Sequence, residues 1–390
     1  MVGFGALALI CLVAISGPLL SLPRGVHVPV IIGELLVGLV LGDTGARLFH
    51  PGDPTFAFLA QIGFGLIMFV AGSHVPMREP ALRSRAPVGL ARAVAIGVLA
   101  VPAGLGIAHV FGTGHGVLYA VLLASSSASL VMPALAGLPL TAPSIVAMLP
   151  QLAVADAACI VLLPLAIDPS RVTRTALGAL AVIAAAFVVF LALRWAESSG
   201  WRKRVHHVSE DRDLAIELRV SLSILFGLAA LAVATHVSIM LAGFTMGLAY
   251  AAVGEPRRLA RQVFALTEGF FGPIFFVWLG SSLDLRDLLA HPSAIGLGLA
   301  LGVCAVALHA LGTLTRQPWP VAVATSAQLG VPVAAATMGT QLGVLGGGED
   351  TALLLGALVT VAVVTLCSGP LARVAQGGDL TVDGTSASTG

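Results

Sequence analysis

The sequence predicts an all-α protein that crosses a membrane many times. Of its 390 residues, 57% are hydrophobic and only 10% are charged, and the mean hydropathy is +1.00. Soluble globular proteins are about 25% charged, so this chain has too few charged side chains to cover a water-facing surface. Apolar stretches long enough to cross a bilayer as helices recur along nearly the whole chain. These features exclude a soluble enzyme and indicate a polytopic membrane protein.

The charge balance also argues against a nucleic-acid partner. The chain has 20 Lys and Arg against 19 Asp and Glu, whereas nucleic-acid-binding proteins carry a basic excess. Its four cysteines lie far apart inside apolar runs, so we predict buried apolar side chains and no metal site. The 45 Gly and 22 Pro suit helices that pack closely or are interrupted within a bilayer.

Thirteen apolar segments are predicted to be membrane-spanning helices, and we number them spans 1 to 13. Their ranges are 3–22, 28–48, 55–76, 86–109, 117–137, 143–167, 173–193, 217–236, 238–253, 267–283, 293–314, 319–343 and 351–372. The long polar stretch at 194–217 is predicted to be a solvated linker. The transmembrane domain is placed at 1–373, and the Gly-, Ser- and Thr-rich residues 374–390 are predicted to be a disordered cytoplasmic tail.

Basic residues orient the predicted spans. With the N-terminus outside, 15 Lys and Arg fall in the odd-numbered loops and 4 in the even-numbered loops. The positive-inside rule places the richer set in the cytoplasm, and an even number of spans would scramble this bias. We therefore expect a multi-pass protein of the cell membrane with its N-terminus outside and its C-terminus in the cytoplasm.

The chain contains a weak internal repeat. Val-Gly-Leu-Val at 37–40 in span 2 resembles Met-Gly-Leu-Ala at 246–249 in span 9. Ala-Gly-Ser at 71–73 in span 3 likewise resembles Leu-Gly-Ser at 279–281 in span 10. Spans 2–6 therefore pair with spans 9–13, and the odd offset of seven spans means that the two five-helix halves are inverted. Inverted repeats with interrupted helices are typical of secondary transporters.

Spans 5 and 12 are predicted to be the two broken, crossing helices. Ser-Ala-Ser-Leu-Val-Met-Pro in span 5 matches Ser-Ala-Gln-Leu-Gly-Val-Pro in span 12 at Ser, Ala, Leu and Pro. Each proline removes a backbone donor and frees the carbonyl four residues earlier, and such oxygens suit Na⁺ or K⁺. The predicted ion-path residues are Ser127, Ser129, Pro133, Ser326, Gln328 and Pro332. A proline kink bridged by serine is the alternative interpretation.

Asp156 lies almost at the centre of span 6. An ionised side chain at membrane depth is costly, and the nearest polar side chain on the same span is Gln151, five positions away. Burial therefore favours a carboxyl group that holds a proton or trades it for a cation. We predict that Asp156 binds ions and protons, although a buried structural aspartate is the alternative.

His309 is the only histidine well inside a predicted span. An apolar setting favours the neutral imidazole, whereas a nearby carboxylate favours the charged one. Taken alone, His309 would be a satisfied core histidine. Taken with Asp156, it is predicted to take part in ion and proton binding.

Several motifs resemble one known family. Pro-x-x-x-Gly-Glu-x-x-x-Gly-x-x-x-Gly at 29–42 is the most specific, and Pro-x-Phe-Phe-x-x-x-Gly-x-x-x-Asp at 273–284 is the second. Both are similar to motifs of the cation:proton antiporter family, in the branch of sodium/proton exchangers and potassium-efflux antiporters. The resemblance implies exchange of a monovalent cation for protons by alternating access. It also implies a six-helix core, spans 4–6 and 11–13, that moves against a panel formed by the other spans.

The chain departs from this family's pattern at three places. On span 6 it has Ala155-Asp156 where the family has Asp-Asp, Asn-Asp or Gln-Asp. On span 11 it has His309 in place of Lys or Arg. On span 12, Leu-Gly-Val-Pro at 329–332 replaces Pro-Arg-Gly-Glu. The choice between Na⁺ and K⁺ therefore stays open on the sequence.

Two other functions remain compatible with the sequence. A sodium-coupled symporter of organic anions would carry Glu, Gln and Asn around both breaks, whereas Gln328 is the only amide or carboxylate close to either one. A non-transporting membrane sensor is favoured by the missing partner residues. In every case we expect no enzymatic activity and no cofactor. The expected partners are a monovalent cation, protons and the lipid bilayer, with a homodimer as the assembly to test.

Overall fold

All thirteen predicted spans are helical in the computed structural model. The structure describes residues 3–21, 30–75, 80–128, 130–131, 135, 142–167, 172–212, 214–254, 257–283 and 285–377. The helices of spans 1–7 are Phe4–Ala14 and Ser16–Ser21, Val30–Leu41, Pro54–Ser73, Pro80–Phe111, Gly116–Ala124, Pro143–Ile167 and Val172–Ser198. Eight helices of the described chain are long and apolar enough to cross a membrane, and the remaining predicted spans contain shorter helices.

The second half of the chain continues the same pattern. Spans 8 and 9 are Ile216–Ala234 and Ile239–Val253, and span 10 joins Arg257–Leu266, a π-helical turn at Thr267–Phe271 and Gly272–Ser282. Span 11 is Pro292–Ala310 with a 3₁₀ turn at Leu311–Thr315, span 12 is Trp319–Ala324 and Gly330–Leu342, and span 13 is Glu349–Leu366 and Ser368–Ala375. Large apolar side chains such as Val98, Val110, Leu180 and Val303 are exposed on the outer faces, as a lipid-facing surface requires.

Three helices of the described chain lie outside the predicted ranges, at Trp201–Asp211, Arg257–Leu266 and Leu285–Ala290, and the second of them continues into span 10. The first occupies the stretch that the sequence predicts to be a linker. It is anchored by Arg202, whose guanidinium donates to the carbonyl of Gly254, and by Arg258, which donates to the carbonyl of Ser209. The final helix also extends two residues into the predicted tail, while residues 378–390 lie outside the described residues.

Paired glycines bring four spans of the panel into backbone contact. A Cβ on Gly38 of span 2 would overlap the carbonyl of Val277 on span 10, and a Cβ on Gly280 would overlap a carbonyl of span 2. In the same way, a Cβ on Gly72 of span 3 would overlap span 9, and one on Gly247 would overlap span 3. Small residues at such positions let transmembrane helices approach closely.

These contacts confirm the inverted repeat. In the repeat, span 2 corresponds to span 9 and span 3 corresponds to span 10. The contact between spans 2 and 10 should therefore have a counterpart between spans 9 and 3, and both contacts are present. The packing of span 4 on span 6 is likewise matched by that of span 11 on span 13. Spans 4–6 and 11–13 pack on one another as the six-helix core, and span 7 contacts both span 6 and span 9.

We predict that Gly72→Ala destabilises the protein. The added Cβ overlaps backbone atoms of span 9 that cannot move independently, and overpacking of this kind costs about 1–3 kcal/mol. The thermal midpoint of the purified protein in detergent should fall by at least about 2 °C. Gly97→Ala is the matched control, because nothing lies within 4 Å of a Cβ at that position. Equal midpoints for the two variants would contradict the glycine contact.

Candidate functional site

Spans 5 and 12 are both interrupted within the core. Helix Gly116–Ala124 of span 5 ends before three non-helical residues, 125–127, and helical geometry resumes at Ala128. In span 12, residues 325–329 separate helix Trp319–Ala324 from helix Gly330–Leu342. Backbone groups next to such breaks lose their intrahelical partners, and at membrane depth they need others.

The two interruptions are hydrogen-bonded to each other. The hydroxyl of Ser126 donates to the carbonyl of Thr325 at 2.7 Å, and Nε2 of Gln328 donates to the carbonyl of Ser125 at 3.3 Å. The backbone N–H of Gln328 donates to Oγ1 of Thr360 on span 13 at 3.2 Å. All of these residues are buried. The predicted crossing of two broken helices is therefore confirmed, and each break satisfies polar groups of the other.

The predicted ion-path residues of span 12 lie at its interruption. Ser326 and Gln328 are within it, and both are buried. Pro332 is the third residue of helix Gly330–Leu342, where a helix needs no backbone donor, so the interruption precedes the proline. The carbonyl four residues before Pro332 belongs to Gln328, and it therefore falls inside the interruption.

The predicted ion-path residues of span 5 are described only in part. Ser127 is buried in the interruption, beside Ser126. Ser129 and Pro133 lie outside the described residues. Ser127 is therefore the predicted ion-path residue of span 5 that the structure describes, and it lies next to Ser125 and Ser126 of the crossing.

Asp156 faces the point at which the helix of span 5 resumes. It lies in the middle of helix Pro143–Ile167 and is 6% exposed. Its carboxylate accepts a hydrogen bond from the backbone N–H of Ala128. The first N–H groups of a helix have no helical partner and carry partial positive charge, so they suit a carboxylate. The interruption thereby places Asp156 beside the N–H of the residue at which helical geometry resumes.

His309 joins the two interrupted spans. Its Nδ1 lies 2.9 Å from Oγ1 of Thr325 in span 12, and its Nε2 lies 3.2 Å from the carbonyl of Leu123 in span 5. Leu123 is in the last turn of helix Gly116–Ala124, where carbonyls lack helical partners. Both ring nitrogens are thus engaged with neutral groups. No hydrogen bond or ion pair between His309 and Asp156 is found in the described part of the chain.

Sequence reasoning missed the polar side chains that surround His309. The amide of Gln151 on span 6 donates to Oγ1 of Thr325 at 3.4 Å, and the amide of Gln317 donates to Oε1 of Gln151 at 3.2 Å. All three residues are buried. The position of Thr325 directly before Ser326 of the predicted break was the one signal that could have found it. Among the described residues, no group of three or more His, Cys, Asp and Glu could hold a metal ion.

A cavity of about 350 Å³ separates the panel from the core. Gln61 and Phe64 of span 3, Ile239 of span 9, and Val333 and Thr337 of span 12 contribute to its lining. Towards the crossing, the thioether of Met68 and the sulfur of Met240 lie 3.4–3.5 Å from the place a Cβ on Gly330 would take.

Gly330 is two residues from Gln328 and one helical turn from Val333. The two methionines of the panel therefore pack against the core directly after the interruption of span 12.

The comparisons with known proteins agree with this architecture. The family described as "Sodium/hydrogen exchanger, transmembrane" matches residues 7–374. The protein YjbQ of Bacillus subtilis (strain 168), whose name describes a Na⁺/H⁺ antiporter, is 23% identical over 383 residues. That match covers 93% of this chain and 62% of the relative.

The solved structure of the sodium proton antiporter MjNhaP1 from Methanocaldococcus jannaschii at pH 8 has the same fold. Its TM-score is 0.67 at 15% sequence identity, and the match covers 95% of this chain and 97% of that chain.

We predict that Ser126→Ala weakens the crossing. The substitution leaves the buried carbonyl of Thr325 without its donor, and an unsatisfied buried acceptor costs about 1–3 kcal/mol. Thermal unfolding in detergent should show a lower midpoint than the wild type. Ser223→Ala is the matched control, because that hydroxyl is exposed and bonds only within its own helix. A midpoint for Ser126→Ala as high as that of the control would show that the crossing does not depend on this bond.

Proposed function

Because this chain belongs to the sodium/hydrogen exchanger family, we propose that it exchanges a monovalent cation, Na⁺ or K⁺, for protons across a membrane by alternating access. The observation that carries this proposal is the buried carboxylate of Asp156 beside two interrupted, mutually bonded helices. The names of YjbQ and MjNhaP1 describe Na⁺/H⁺ antiporters, which supports Na⁺ as the first cation to test. The activity is transport rather than enzymatic catalysis.

Asp156 is the proposed shared carrier of cation and proton. Its carboxylate is buried, and within the described residues no Lys, Arg or His forms an ion pair with it. A bare charge at this depth is costly, so the group is stable only when it holds a proton or a cation. One carboxylate cannot hold both at once. Competition between the two ligands then produces exchange instead of leak.

The remaining cation ligands are proposed to be neutral oxygens of the two interruptions. Ser127, Ser326 and the backbone carbonyls released by the breaks can replace water around a Na⁺ or K⁺ ion. Gln328 uses its Nε2 for the bond to Ser125, which leaves Oε1 as its ligand atom. Ser129, Pro133 and Pro332 complete the proposed ion path. His309 is proposed to tune the site from the neighbouring span.

The cavity between panel and core is the proposed access route on one face of the membrane. With the N-terminus outside, helix Gly330–Leu342 lies in the outer half of the bilayer, so the cavity opens outward. In this proposal, Met68 and Met240 close the route between the cavity and the ion site. Sliding of the core along the panel would expose Asp156 first to one face and then to the other.

A non-transporting sensor is the second candidate function. It is favoured by the pairing of both His309 nitrogens with neutral groups, which leaves Asp156 without an ionisable partner. It predicts no cation-dependent proton flux. An organic-anion symporter finds less support, because Arg92, the cationic residue described within span 4, is engaged with Thr315 instead of the crossing. The homodimer stays part of the proposal and is testable by cross-linking in native membranes.

We predict that Asp156→Asn abolishes exchange while the protein still folds. The amide has nearly the same shape as the carboxylic acid but cannot release a proton to a cation. In sealed proteoliposomes with an imposed pH gradient, addition of a transported cation (Na⁺, K⁺, Li⁺ and Rb⁺ tested in turn) should collapse the gradient for the wild type but not for Asp156→Asn. Asp350→Asn, at the partly exposed start of span 13, is the matched control and should exchange normally. Full exchange by Asp156→Asn would contradict the proposal that Asp156 carries the cation and the proton.

We predict that the loop between spans 7 and 8 is cytoplasmic. In a background without the four native cysteines, a membrane-impermeant maleimide should label Lys203→Cys only after cells are permeabilised. Arg47→Cys, in the loop between spans 2 and 3, should be labelled in intact cells. The reverse pattern would overturn the proposed orientation and the outward-facing assignment of the cavity.

A further inference from the structure

We propose that Thr325 is a positioning residue that holds the His309 ring in one place while the ring is either neutral or protonated. The proposal rests on the exchange function argued above, because it gives His309 its context. It assigns a role to the hydroxyl of Thr325, which is not among the proposed cation ligands.

Thr325 is the junction of four spans. It is fully buried and directly follows helix Trp319–Ala324. Its Oγ1 lies 2.7 Å from the carbonyl of Ala322 in its own span, 2.9 Å from Nδ1 of His309 on span 11 and 3.4 Å from Nε2 of Gln151 on span 6. Its carbonyl accepts the hydroxyl of Ser126 on span 5 at 2.7 Å.

The neutral ring fits this junction in one tautomer. The carbonyl of Leu123 can only accept, so the 3.2 Å contact requires a proton on Nε2 of His309. Nδ1 of the neutral ring is then an acceptor. The hydroxyl of Thr325 donates to it, while the amide of Gln151 donates to the Thr325 oxygen. Each polar atom named here has a partner of the correct kind.

The protonated ring fits the same heavy-atom positions. Nδ1 then carries the added proton and donates to Oγ1 of Thr325. The single hydroxyl proton of Thr325 turns away and donates to the carbonyl of Ala322, which lies at 2.7 Å. Gln151 donates in both states. Rotation of one hydroxyl therefore accommodates a change of ring charge at a buried site where reorganisation of helices would be costly.

The other titratable groups of the core are not hydrogen-bonded to His309 in the described part of the chain. In the described middle parts of the core helices, these groups are Cys304 on span 11, Arg92 on span 4, Tyr119 on span 5, and Asp156 and Cys159 on span 6. Tyr119 is bonded to Glu349 at the start of span 13, which also pairs with His115, and Arg92 is bonded to Thr315. Asp156 is bonded to the backbone N–H of Ala128, so the hydrogen-bond partners of the His309 ring are Thr325 and Leu123.

The test compares Thr325→Val with Thr325→Ser. Valine keeps the shape but removes the hydroxyl, so the charged ring loses its acceptor, whereas serine keeps the hydroxyl. In proteoliposomes, Thr325→Val should displace the pH of half-maximal exchange towards acid by about one unit. Thr325→Ser should keep the wild-type pH profile. In a His309→Ala background, Thr325→Val should cause no further displacement, because the effect passes through the ring.

A second measurement, the titration of the His309 ring by NMR, does not depend on transport. In protein labelled with ¹⁵N-histidine, the ring signals of His309, assigned by their loss in His309→Ala, should titrate as in the wild type for Thr325→Ser and at lower pH for Thr325→Val. Two results would overturn the proposal: an unchanged titration in Thr325→Val, or an equal displacement of the exchange profile with and without His309. Absence of cation-dependent flux in the wild type would refute the proposed function alone, since the ring titration would still be measured.

Discussion

The mutual hydrogen bonding of two helix interruptions is the interaction on which the rest of the structure depends. Non-helical backbone in a bilayer is tolerated only where its polar groups find partners inside the protein. Ser126 and Gln328 supply those partners across the crossing. The same interruption leaves the N–H of Ala128 free to receive Asp156. A carboxylate at membrane depth, a helix start and a set of released oxygens therefore occur together for one physical reason.

The panel and the core meet the needs of transport in different ways. Inside the panel, glycines bring backbones into direct contact, as at Gly38 with Gly280 and Gly72 with Gly247, and such contacts resist sliding. Between panel and core, the contact near the crossing is made by flexible thioethers, which adapt to shifted neighbours. The cavity lies along this second interface. Motion of the core as a unit is therefore compatible with a panel that keeps its shape.

Much of this arrangement is predictable from the sequence because it depends on local patterns. The length of each apolar segment predicts the spans. The repeated positions of Gly, Ser and Pro predict the two inverted halves and the pair of broken helices. The pairing across the crossing is not predictable, because Ser126 and Thr325 are far apart in the chain, although each directly precedes a residue of the predicted breaks. The helix at Trp201–Asp211 was missed because its polarity indicates exposure and says little about backbone geometry. The pairing of His309 with neutral groups instead of Asp156 likewise requires the packing of spans 5, 11 and 12.

The central claim is that one buried carboxylate binds either a cation or a proton. The most direct measurement is the number of protons released per cation bound to the purified protein. Calorimetric titration with Na⁺ or K⁺ in buffers of different ionisation enthalpy reports this number without any vesicle. We expect a release that approaches one proton per cation at pH values where the carboxyl group starts protonated, and a smaller release as the pH rises. Saturable cation binding with no proton release at any pH would contradict it.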